Sequence, residues 1–484
     1  MVDLKKELQN QFKIKNRYAN FGPVICEARI RGFRGIKDLA VNFESPITAI
    51  SGLNGTGKST IAQLMTNGYK KPSTESSNYK RHYISNYFPI SRADPEPFQS
   101  DASVEYLYAT NQEDRLQELT VSRGLGKQWD GYKRQPERHC RYIGFTIYIP
   151  KVEQRDISIY RGNEILISNE TNLSENAKNA LCRILSTPYS TLASATARHK
   201  YQYTDIGFAE KYGSRYSENN MGFGEGRAFY TVRSLESAPE QSLFVIEEPE
   251  TSLHENAQYE LAKYFIDVCL RRKHQIIITT HSKAILSALP VESRKLLYRD
   301  GPNIRVSDRT STAEATGLLS LGMSAELTIL VEDHRAKSLL IELIRVGKPN
   351  LLRGLRISFV GNDDMVMNIT KQLRADGAKV KGFRDGDKGP DARNGVFSLP
   401  GQLAPEKAVL SCEKVSDWLS SEHSFRLDEW LVINSEVDFH DWPKEIALEI
   451  SKSENGFWEE ACAIYSRNLD KASIDALITN VERH

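Results

Sequence analysis

Long apolar runs, paired cysteines, internal repeats and a charge excess are all missing from this sequence of 484 residues. No stretch approaches the roughly 18 uninterrupted apolar residues that indicate a membrane-spanning helix, and the first residues lack the apolar core of a secretory signal. The six cysteines are scattered without Cys-x-x-Cys spacing, which argues against a zinc site and favours reduced thiols. We therefore expect a soluble, cytoplasmic protein with no membrane partner.

The charges nearly cancel, with 64 Lys and Arg against 63 Asp and Glu and a formal net charge of +1. Overall charge therefore does not predict nucleic-acid binding, and any DNA-binding surface must be a local patch. Basic and aromatic residues alternate between residues 66 and 140, which indicates either such a patch or an ordinary solvated insertion. These residues are Lys70, Lys71, Lys80, Arg81, Lys127, Lys133, Arg134 and Arg138, with Tyr69, Tyr79, Tyr83 and Trp129 among them.

Residues 52–59, Gly-Leu-Asn-Gly-Thr-Gly-Lys-Ser, form a complete phosphate-binding loop between an apolar strand and a predicted helix. Glycines let backbone N–H groups surround phosphate oxygens, and the N-terminus of the helix adds a positive field. Lys58 is predicted to reach the β- and γ-phosphates of ATP, and the Ser59 hydroxyl to coordinate Mg²⁺. The predicted nucleotide-binding residues of this phosphate loop are Asn54, Gly55, Thr56, Gly57, Lys58, Ser59 and Thr60.

Two further apolar strands end in chemically useful side chains. The segment SLFVIEEPE (242–250) ends in adjacent carboxylates, of which one can steady the Mg²⁺ shell and the next polarise the attacking water. We assign Glu247 to the metal and Glu248 to the general base. The segment QIIITTHS (275–282) ends at His281, which at this place is predicted to sense the γ-phosphate.

A glycine segment, MGFGEGR (221–227), precedes the carboxylate strand and leads into a predicted helix. Such a segment is either a surface turn or a second phosphate cradle. Its position between the phosphate loop and the carboxylates favours the cradle, with Gly224, Glu225 and Gly226 contacting a nucleotide held by another subunit.

The segments IRGFRGIKDLAVNF, ITAISGLNGTGKST, GFGEG, LFVIEEPETSLH and IIITTHS follow one another along the chain. In this order they resemble the ABC-type ATPase head of RecF- and SMC-like proteins, and most of all the OLD (overcoming lysogenization defect) family. The resemblance implies a composite site, in which Lys58 and Ser59 of one subunit face Gly224 and Gly226 of a second subunit across ATP. A homodimer or higher homo-oligomer would follow. Gln154 is a candidate for the glutamine loop of that family.

A second α/β block begins near residue 324, and acidic residues follow its strands. Glu332 and Asp333 follow the strand LTILV, and a later strand ends in Asp385-Gly386-Asp387. Because the carboxyl ends of parallel strands meet at one edge of a sheet, Glu332, Asp385 and Asp387 are predicted to converge there. Hard oxygen ligands suit Mg²⁺ or Mn²⁺, which could activate groups for phosphodiester cleavage.

This block resembles a Toprim domain, which OLD-family nucleases carry after the ATPase. Asp333 replaces the glycine that usually follows the first glutamate, so the site is either an intact metal-dependent nuclease or a fold kept for assembly. The segment FSLPGQLAPEKAVL resembles the ATPase subunit of Septu anti-phage systems, in which a separate HNH-type nuclease cuts. The motif residues would be Glu332, Asp385 and Asp387, with Glu413 and Asp417 as later acids.

The predicted fold class is α/β. An ABC-type ATPase head (mixed sheet, antiparallel β-subdomain and helical lobe) is expected over residues 1–320, with an exposed insertion at about 66–140. A Toprim-like domain follows over 321–430 and a helical segment over 431–484. Residues 172–200 are also predicted to be helical.

Three functions stay open at this point. The first is an ATP-gated ATPase of an anti-phage complex with a nuclease partner, and the second is a self-sufficient OLD-type DNA endonuclease. The third is a RecF-like DNA-repair ATPase that loads on DNA without cutting it. ATP and Mg²⁺ are expected in all three, with Mn²⁺ as an alternative metal at the Toprim-like site.

Overall fold

The computed structural model describes residues 4–75, 81–113, 115–124, 128–145, 166–199, 202–312, 314–315 and 327–482. The chain divides into two compact units, Met1–Thr310 and Ser311–His484. Within those described ranges, no helix has the length and apolar character needed to cross a membrane. Tyr79, Lys80, Lys127 and Gln154, which the sequence singles out, lie outside the described residues.

Three sheets make up the β-structure described in the first unit. The strands are β1 (Ile25–Phe33), β2 (Ile36–Asn42), β3 (Ile47–Gly52), β4 (Phe98–Ala109), β5 (Leu116–Arg123), β6 (Trp129–Asp130), β7 (Cys140–Ile143), β8 (Leu166–Asn172), β9 (Thr191–His199), β10 (Gln202–Lys211), β11 (Ser214–Ser217), β12 (Leu243–Glu247), β13 (Gln275–Thr279), β14 (Arg294–Asp300) and β15 (Asn303–Asp308). The helices are α1 (Leu4–Phe12), α2 (Ile14–Phe21), α3 (Lys58–Met65), α4 (Ile84–Tyr87), α5 (Glu175–Ile184), α6 (Phe223–Ser237), α7 (Glu255–Arg272) and α8 (Lys283–Ala288).

A six-stranded mixed sheet, in the order β15-β14-β3-β13-β12-β7, carries the predicted nucleotide site. Its strands pair in parallel except β15, which runs antiparallel to β14. Strands β3, β12 and β13 are buried along their whole length, as their unbroken apolar sequences predict for a parallel sheet. The predicted strand-helix-strand pattern from residue 242 is confirmed as β12, α7 and β13.

The antiparallel sheet β2-β1-β4-β5-β6 packs into the same core as β3 and α3. Part of the predicted exposed insertion belongs to this core, because the aromatic and apolar side chains of Tyr69, Ile84 and Phe88 are at most 1% exposed. The prediction of an exposed insertion is therefore wrong for these residues. Their size makes burial favourable, by about 2 kcal/mol each.

The third sheet, β11-β10-β9-β8, is antiparallel. It corrects the prediction of a helix over residues 172–200, since α5 ends at Ile184 and β9 follows. Alternate small residues of β9, Ala195 and Ala197, pack with Ile206 of β10. Small side chains give a weak periodic signal, so this half-buried strand was not recognisable from hydrophobicity.

The second unit is built on a parallel sheet in the order β17-β16-β18-β19. Helices from the end of the chain share one hydrophobic core with this sheet, so the predicted helical segment after residue 431 is part of the unit. The strands are β16 (Leu327–Val331), β17 (Leu355–Phe359), β18 (Val380–Arg384) and β19 (Val396–Ser398). The helices are α9 (His334–Gly347), α10 (Asp363–Ala375), α11 (Pro405–Leu410), α12 (Glu413–His423), α13 (Leu427–Ile433), α14 (Trp442–Glu449), α15 (Glu454–Asn468) and α16 (Lys471–Glu482).

Candidate nucleotide-binding site

The phosphate loop between β3 and α3 borders an open cavity of about 320 Å³. Segments predicted separately from the sequence meet at this cavity, at the carboxyl edge of β3, β12 and β13. The predicted residues that line it are Asn54, Gly55, Gly57, Lys58, Ser59, Thr60, Glu248 and His281. Thr56 lies below the surface instead, and its hydroxyl donates to the Leu53 carbonyl at 2.8 Å, which closes the loop on itself.

The conformation of the loop explains why glycine and lysine stand where they do. Gly57 has a φ of +90°, and a Cβ there would lie 3.1 Å from Ile36 Cδ1, so a side chain would meet both strain and crowding. The Lys58 ammonium donates to the carbonyls of Gly52 and Leu53 at 2.8 and 3.0 Å. Burial lowers the pKa of Lys58, against the opposing charges of the nearby glutamates. If a phosphate group bound here, the Lys58 ammonium could donate to its charged oxygens in place of the two neutral carbonyls, which is a stronger interaction.

Ser59 and Glu247 form a contact that fits Mg²⁺. The two side chains share a hydrogen bond, and burial raises the pKa of the Glu247 carboxyl. Glu247 Oε1 is buried and has no hydrogen-bond partner, so it is available to a hard cation. In the described part of the chain no three His, Cys, Asp or Glu side chains could form a metal site together. Phosphate oxygens and water would therefore supply the remaining ligands.

Glu248 and His281 face each other beside the phosphate loop, with His281 Nε2 3.4 Å from Glu248 Oε1. Burial raises the pKa of Glu248 and lowers that of His281. Glu248 adopts a left-handed backbone with φ 45°, and its N–H donates to the Thr279 carbonyl at 3.0 Å. A non-glycine residue held in this region stores backbone strain, and such positions cluster at functional sites.

The cavity has another wall that the sequence did not identify. Arg34, Ile36, Arg299 and Ile304 line it, and the Arg299 guanidinium donates to the Gly55 carbonyl at 3.0 Å. Arg34 lies in the turn between β1 and β2, and the motif GFRG was the available signal for it. These side chains place cations and apolar surface beside the phosphate loop.

The glycine segment lies outside the phosphate-loop cavity of its own chain, so its predicted contact with a nucleotide on another subunit stays a prediction. Gly224 is buried against the loop after β12, where an added Cβ would lie 2.4 Å from the Ser252 carbonyl oxygen. The carboxylate of Glu225 accepts hydroxyl hydrogen bonds from Tyr189 and Tyr216 at 2.6 and 2.5 Å. None of residues 221–227 lines the phosphate-loop cavity. The exposed residue is Gly222, the N-cap of α6, where a Cβ would meet nothing within 4 Å.

Arg227 connects the glycine segment to the catalytic strand. Its buried guanidinium donates to the backbone carbonyls of Phe145, at 2.9 Å, and Glu247. Burial lowers the pKa of Arg227, and the nearby Glu250, Glu248 and Glu247 carboxylates raise it. The position of α6 is therefore tied to the strand end that carries Glu247. No local sequence pattern predicts these contacts, because they join residues that are distant along the chain.

Two family models match the first unit. One, described as AAA ATPase domain, matches residues 149–286, and the other, described as AAA domain, matches residues 27–193. The matched region is an ATPase domain. Such domains use a nucleotide and typically Mg²⁺.

Solved structures similar to this chain include heads of SMC proteins. The SMC head domain from Thermotoga maritima shares 15% identity with this chain and has a TM-score of 0.33. The match covers 59% of this chain and 98% of that structure. A second structure, the SmcHead bound to the C-winged helix domain of ScpA, shares 15% identity, covers 59% of this chain and 97% of its own, and has a TM-score of 0.37. No curated protein matches the chain.

Outside the ATPase site, the second unit brings two of its predicted acids, Glu332 and Asp385, into contact at one sheet edge. With Asp387 they do not form a group of three that could hold a metal ion in the described part of the chain. Glu332 follows β16 and Asp385 follows the neighbouring β18, and Glu332 Oε1 accepts the Asp385 N–H at 2.9 Å. Burial, together with the charges of Glu332, Asp333, Glu406 and Asp387, raises the pKa of Asp385 to about 8. Burial also raises the pKa of Glu332. We call Glu332, Asp385 and Asp387 the acidic edge.

Asp333 has a structural role beside the acidic edge, although its charge raises the pKa of Glu332 and Asp385. It is the N-cap of α9, and its Oδ1 accepts the N–H groups of Arg335 and Ala336 at 2.9 and 2.8 Å. The carboxylate is thereby directed toward the positive end of a helix. An aspartate at this position therefore has a structural explanation.

The later acids differ from the predicted ones. Asp417 is exposed on α12 and pairs with Lys414 at 2.9 Å. The acid that acts electrostatically on Asp385 is Glu406, which is 1% exposed and accepts from Arg335 Nη1 at 3.1 Å. Sequence order could not identify Glu406, because its approach depends on how α11 packs on the sheet.

The predicted basic patch between residues 66 and 140 is not one surface. Arg138 is buried and donates to the Tyr69 hydroxyl and Gln275 Oε1 at 3.0 and 3.2 Å, and Trp129 stacks on Phe33 with ring centroids 5.6 Å apart. These residues build the core of the ATPase unit. The interpretation as a nucleic-acid surface is wrong for Tyr69 and Arg138.

Proposed function

We propose that this protein is an OLD-type ATPase in which two copies close around ATP and Mg²⁺, and that this assembly gates a nuclease in anti-phage defence. One observation carries the dimeric arrangement. The cavity is lined by the phosphate loop, Glu248 and His281, but by no residue of the glycine segment. A single copy therefore offers one half of a composite site.

The exposed N-terminus of α6 is the second half in this proposal. The helix has 15 residues, so its backbone dipole places partial positive charge at Gly222. Gly222 is exposed and has no neighbour in its Cβ direction, which leaves room for the phosphates of a nucleotide bound to a second copy. Gly224 then supports the helix against Ser252 and does not itself contact the nucleotide.

Each residue at the ATPase site has its own role in the proposed hydrolysis of ATP. Lys58 would neutralise phosphate charge, while Ser59 and Glu247 would hold Mg²⁺. Glu248 would accept the proton of the attacking water, and burial, which raises its pKa, makes it a stronger base. His281 holds the Glu248 carboxylate by the 3.4 Å contact and contacts the γ-phosphate. Hydrolysis would remove the phosphate that joins the copies, so ATP turnover would control assembly.

The nuclease in this proposal is a partner protein of the HNH type, with DNA as the substrate. Its support is the resemblance of FSLPGQLAPEKAVL to Septu-type ATPase subunits. The alternative is that the second unit cuts DNA itself through a Toprim-like site. That alternative is favoured by the convergence of Glu332 and Asp385, joined by a hydrogen bond at 2.9 Å.

Native mass measurement with and without ATP and Mg²⁺ tests the assembly. Glu248→Gln should bind ATP without hydrolysing it and accumulate as a dimer. Adding Gly222→Asp should abolish this dimer, because aspartate is a good N-cap but places a carboxylate against the phosphates. Gly222→Ser, an equally good cap without charge, should preserve it. A Glu248→Gln protein that stays monomeric with ATP would refute the proposal.

Plasmid cleavage separates the two nucleases. If the second unit cuts, purified protein with Mg²⁺ or Mn²⁺ should nick plasmid, Asp385→Asn should abolish the nicking, and Asp417→Asn, an exposed control of the same chemistry, should not. If a partner cuts, cleavage should appear only with the product of a neighbouring gene and survive Asp385→Asn. Absence of cleavage in both arrangements would contradict a role in nuclease control.

A further inference from the structure

Glu250 is the third carboxylate at the end of β12, and the ATP hydrolysis proposed above assigns it no role. It is 8% exposed, and its Oε1 accepts three hydrogen bonds from one loop. The donors are the Thr280 hydroxyl at 2.5 Å, the His281 N–H at 2.9 Å and the Ser282 N–H at 3.2 Å. Hydrogen bonds to a carboxylate are about twice as strong as neutral ones, so this side chain holds the loop firmly.

The loop that Glu250 holds is the one that carries His281. Residues 280–282 connect β13 to α8, and two consecutive backbone N–H groups of this loop point at the same oxygen. Ser282 then caps α8 by accepting the Ile285 N–H at 3.0 Å. The backbone of His281 is therefore fixed on both sides, and only its side-chain rotation is left free.

We propose that Glu250 is a positioning residue for ATP hydrolysis, which sets His281 Nε2 against Glu248. The backbone hydrogen bond at 2.9 Å and the Nε2–Oε1 contact of 3.4 Å form one continuous path from Glu250 through His281 to Glu248. This inference rests on the roles proposed above for Glu248 and His281. It adds one further requirement to those roles: Glu250, which follows β12, must hold the loop that carries His281.

The path predicts which kinetic constant changes. Glu250 makes no hydrogen bond to the phosphate loop, where Lys58 donates to Gly52 and Leu53. It acts on Lys58 only through its charge, which Glu250→Gln also removes. Loss of Glu250 should therefore leave the ground-state binding of ATP intact and affect the step in which Glu248 takes its proton. A change confined to kcat is the expected result for a group that acts only in the transition state.

A double-mutant cycle tests the proposal, with kcat and KM measured for Glu250→Ala, His281→Ala and the double variant. Glu250→Ala should lower kcat by at least about tenfold and change KM by less than about twofold. Glu250 also interacts directly with Glu248. The part of its effect that passes through His281 should not be lost twice, so the double variant should lose less than the product of the two single losses. Glu250→Gln should retain kcat within about threefold, since its amide oxygen accepts the same N–H groups.

Several results would overturn the proposal. They are losses that multiply in the double variant, a wild-type kcat in Glu250→Ala, and a loss in Glu250→Gln as large as in Glu250→Ala. Thermal unfolding identifies a variant that fails to fold. In that event Glu250→Asp, whose shorter side chain cannot reach all three donors, replaces Glu250→Ala in the cycle. ATP hydrolysis that survives Lys58→Ala would instead refute the ATPase assignment itself, so the two failures are distinguishable.

Discussion

Replacing Gly224 by alanine tests how the glycine segment is built. The added Cβ would lie 2.4 Å from the Ser252 carbonyl oxygen and 3.2 Å from Leu253 Cδ2. Ser252 cannot easily move, because it is itself held in the left-handed region with φ 64°. Overpacking of this kind costs about 1–3 kcal/mol, and the better helix preference of alanine offsets up to about 1 kcal/mol. Gly224 is the second residue of α6, so only part of this offset applies, and the expected net loss of unfolding free energy is about 1–2 kcal/mol.

For a unit of this size, each kcal/mol shifts Tm by about 2–4 °C, so Gly224→Ala should lower Tm by about 2–8 °C. The assay is thermal unfolding of the nucleotide-free protein, followed by circular dichroism. The matched control is Gly222→Ser, two residues away on the same helix, where no atom lies within 4 Å of the Cβ position. Serine is a favoured N-cap, so this variant should melt at the wild-type temperature or slightly above it.

A Gly224→Ala protein that melts within about 1 °C of wild type would refute this account of the packing. It would mean that the segment has room at Gly224, as expected if Gly224 itself faced a nucleotide. An equal fall in Gly222→Ser would also refute it, since the effect would then belong to the whole helix end.

Three further predictions follow from single groups. Lys58→Ala should weaken ATP binding by about 1.5–3 kcal/mol, which is about 10- to 150-fold in the Kd measured by calorimetry, and an unchanged Kd would contradict the role of Lys58. His274 is buried neutral, with Nδ1 accepting the Ser242 N–H at 3.2 Å, and burial lowers its pKa to about 3. Below the unfolded pKa of about 6.5 the unfolded chain binds a proton that the folded chain refuses. When the pH is lowered from 7 to 5, the unfolding free energy measured by urea denaturation should therefore fall by about 2 kcal/mol more in the wild type than in His274→Asn. Equal falls in the two proteins would contradict this. Asp385→Asn should raise Tm at pH 7 without metal, because it removes a carboxyl whose pKa is raised to about 8, and it should remove any rise in Tm caused by Mn²⁺. An equal Mn²⁺ effect on both proteins would place the metal elsewhere.

Much of the ATPase core is predictable because its signals are local. The phosphate loop lies between a strand and a helix that are each recognisable alone, and β12 and β13 are short apolar runs with polar ends. Their convergence at one sheet edge follows from parallel pairing. The same rule places Glu332 and Asp385 together in the second unit, where the structure has them in hydrogen-bond contact.

The remaining features depend on packing between distant segments. Which glycine of the segment faces outward is decided by the carbonyl of Ser252, which approaches Gly224 and leaves Gly222 open. In the sequence Glu250 is one more acidic residue after a strand. In the structure it holds a loop at His281, 31 residues further along the chain. Glu406 likewise reaches the acidic edge only because α11 packs there. No periodicity or spacing encodes such contacts.

The central claim is that one ATP site is built from two copies, and mixing two inactive variants tests it most directly. Lys58→Ala disables the phosphate loop and Gly222→Asp disables the glycine segment, so neither variant alone should form an active dimer. In a mixed dimer, the intact loop of one copy would face the intact segment of the other. Where native mass shows that half of the protein is in mixed dimers, the mixture should recover about a quarter of the wild-type ATPase activity, since each mixed dimer carries one of two sites. Mixtures that stay inactive at every ratio, although native mass shows that mixed dimers form, would contradict the claim.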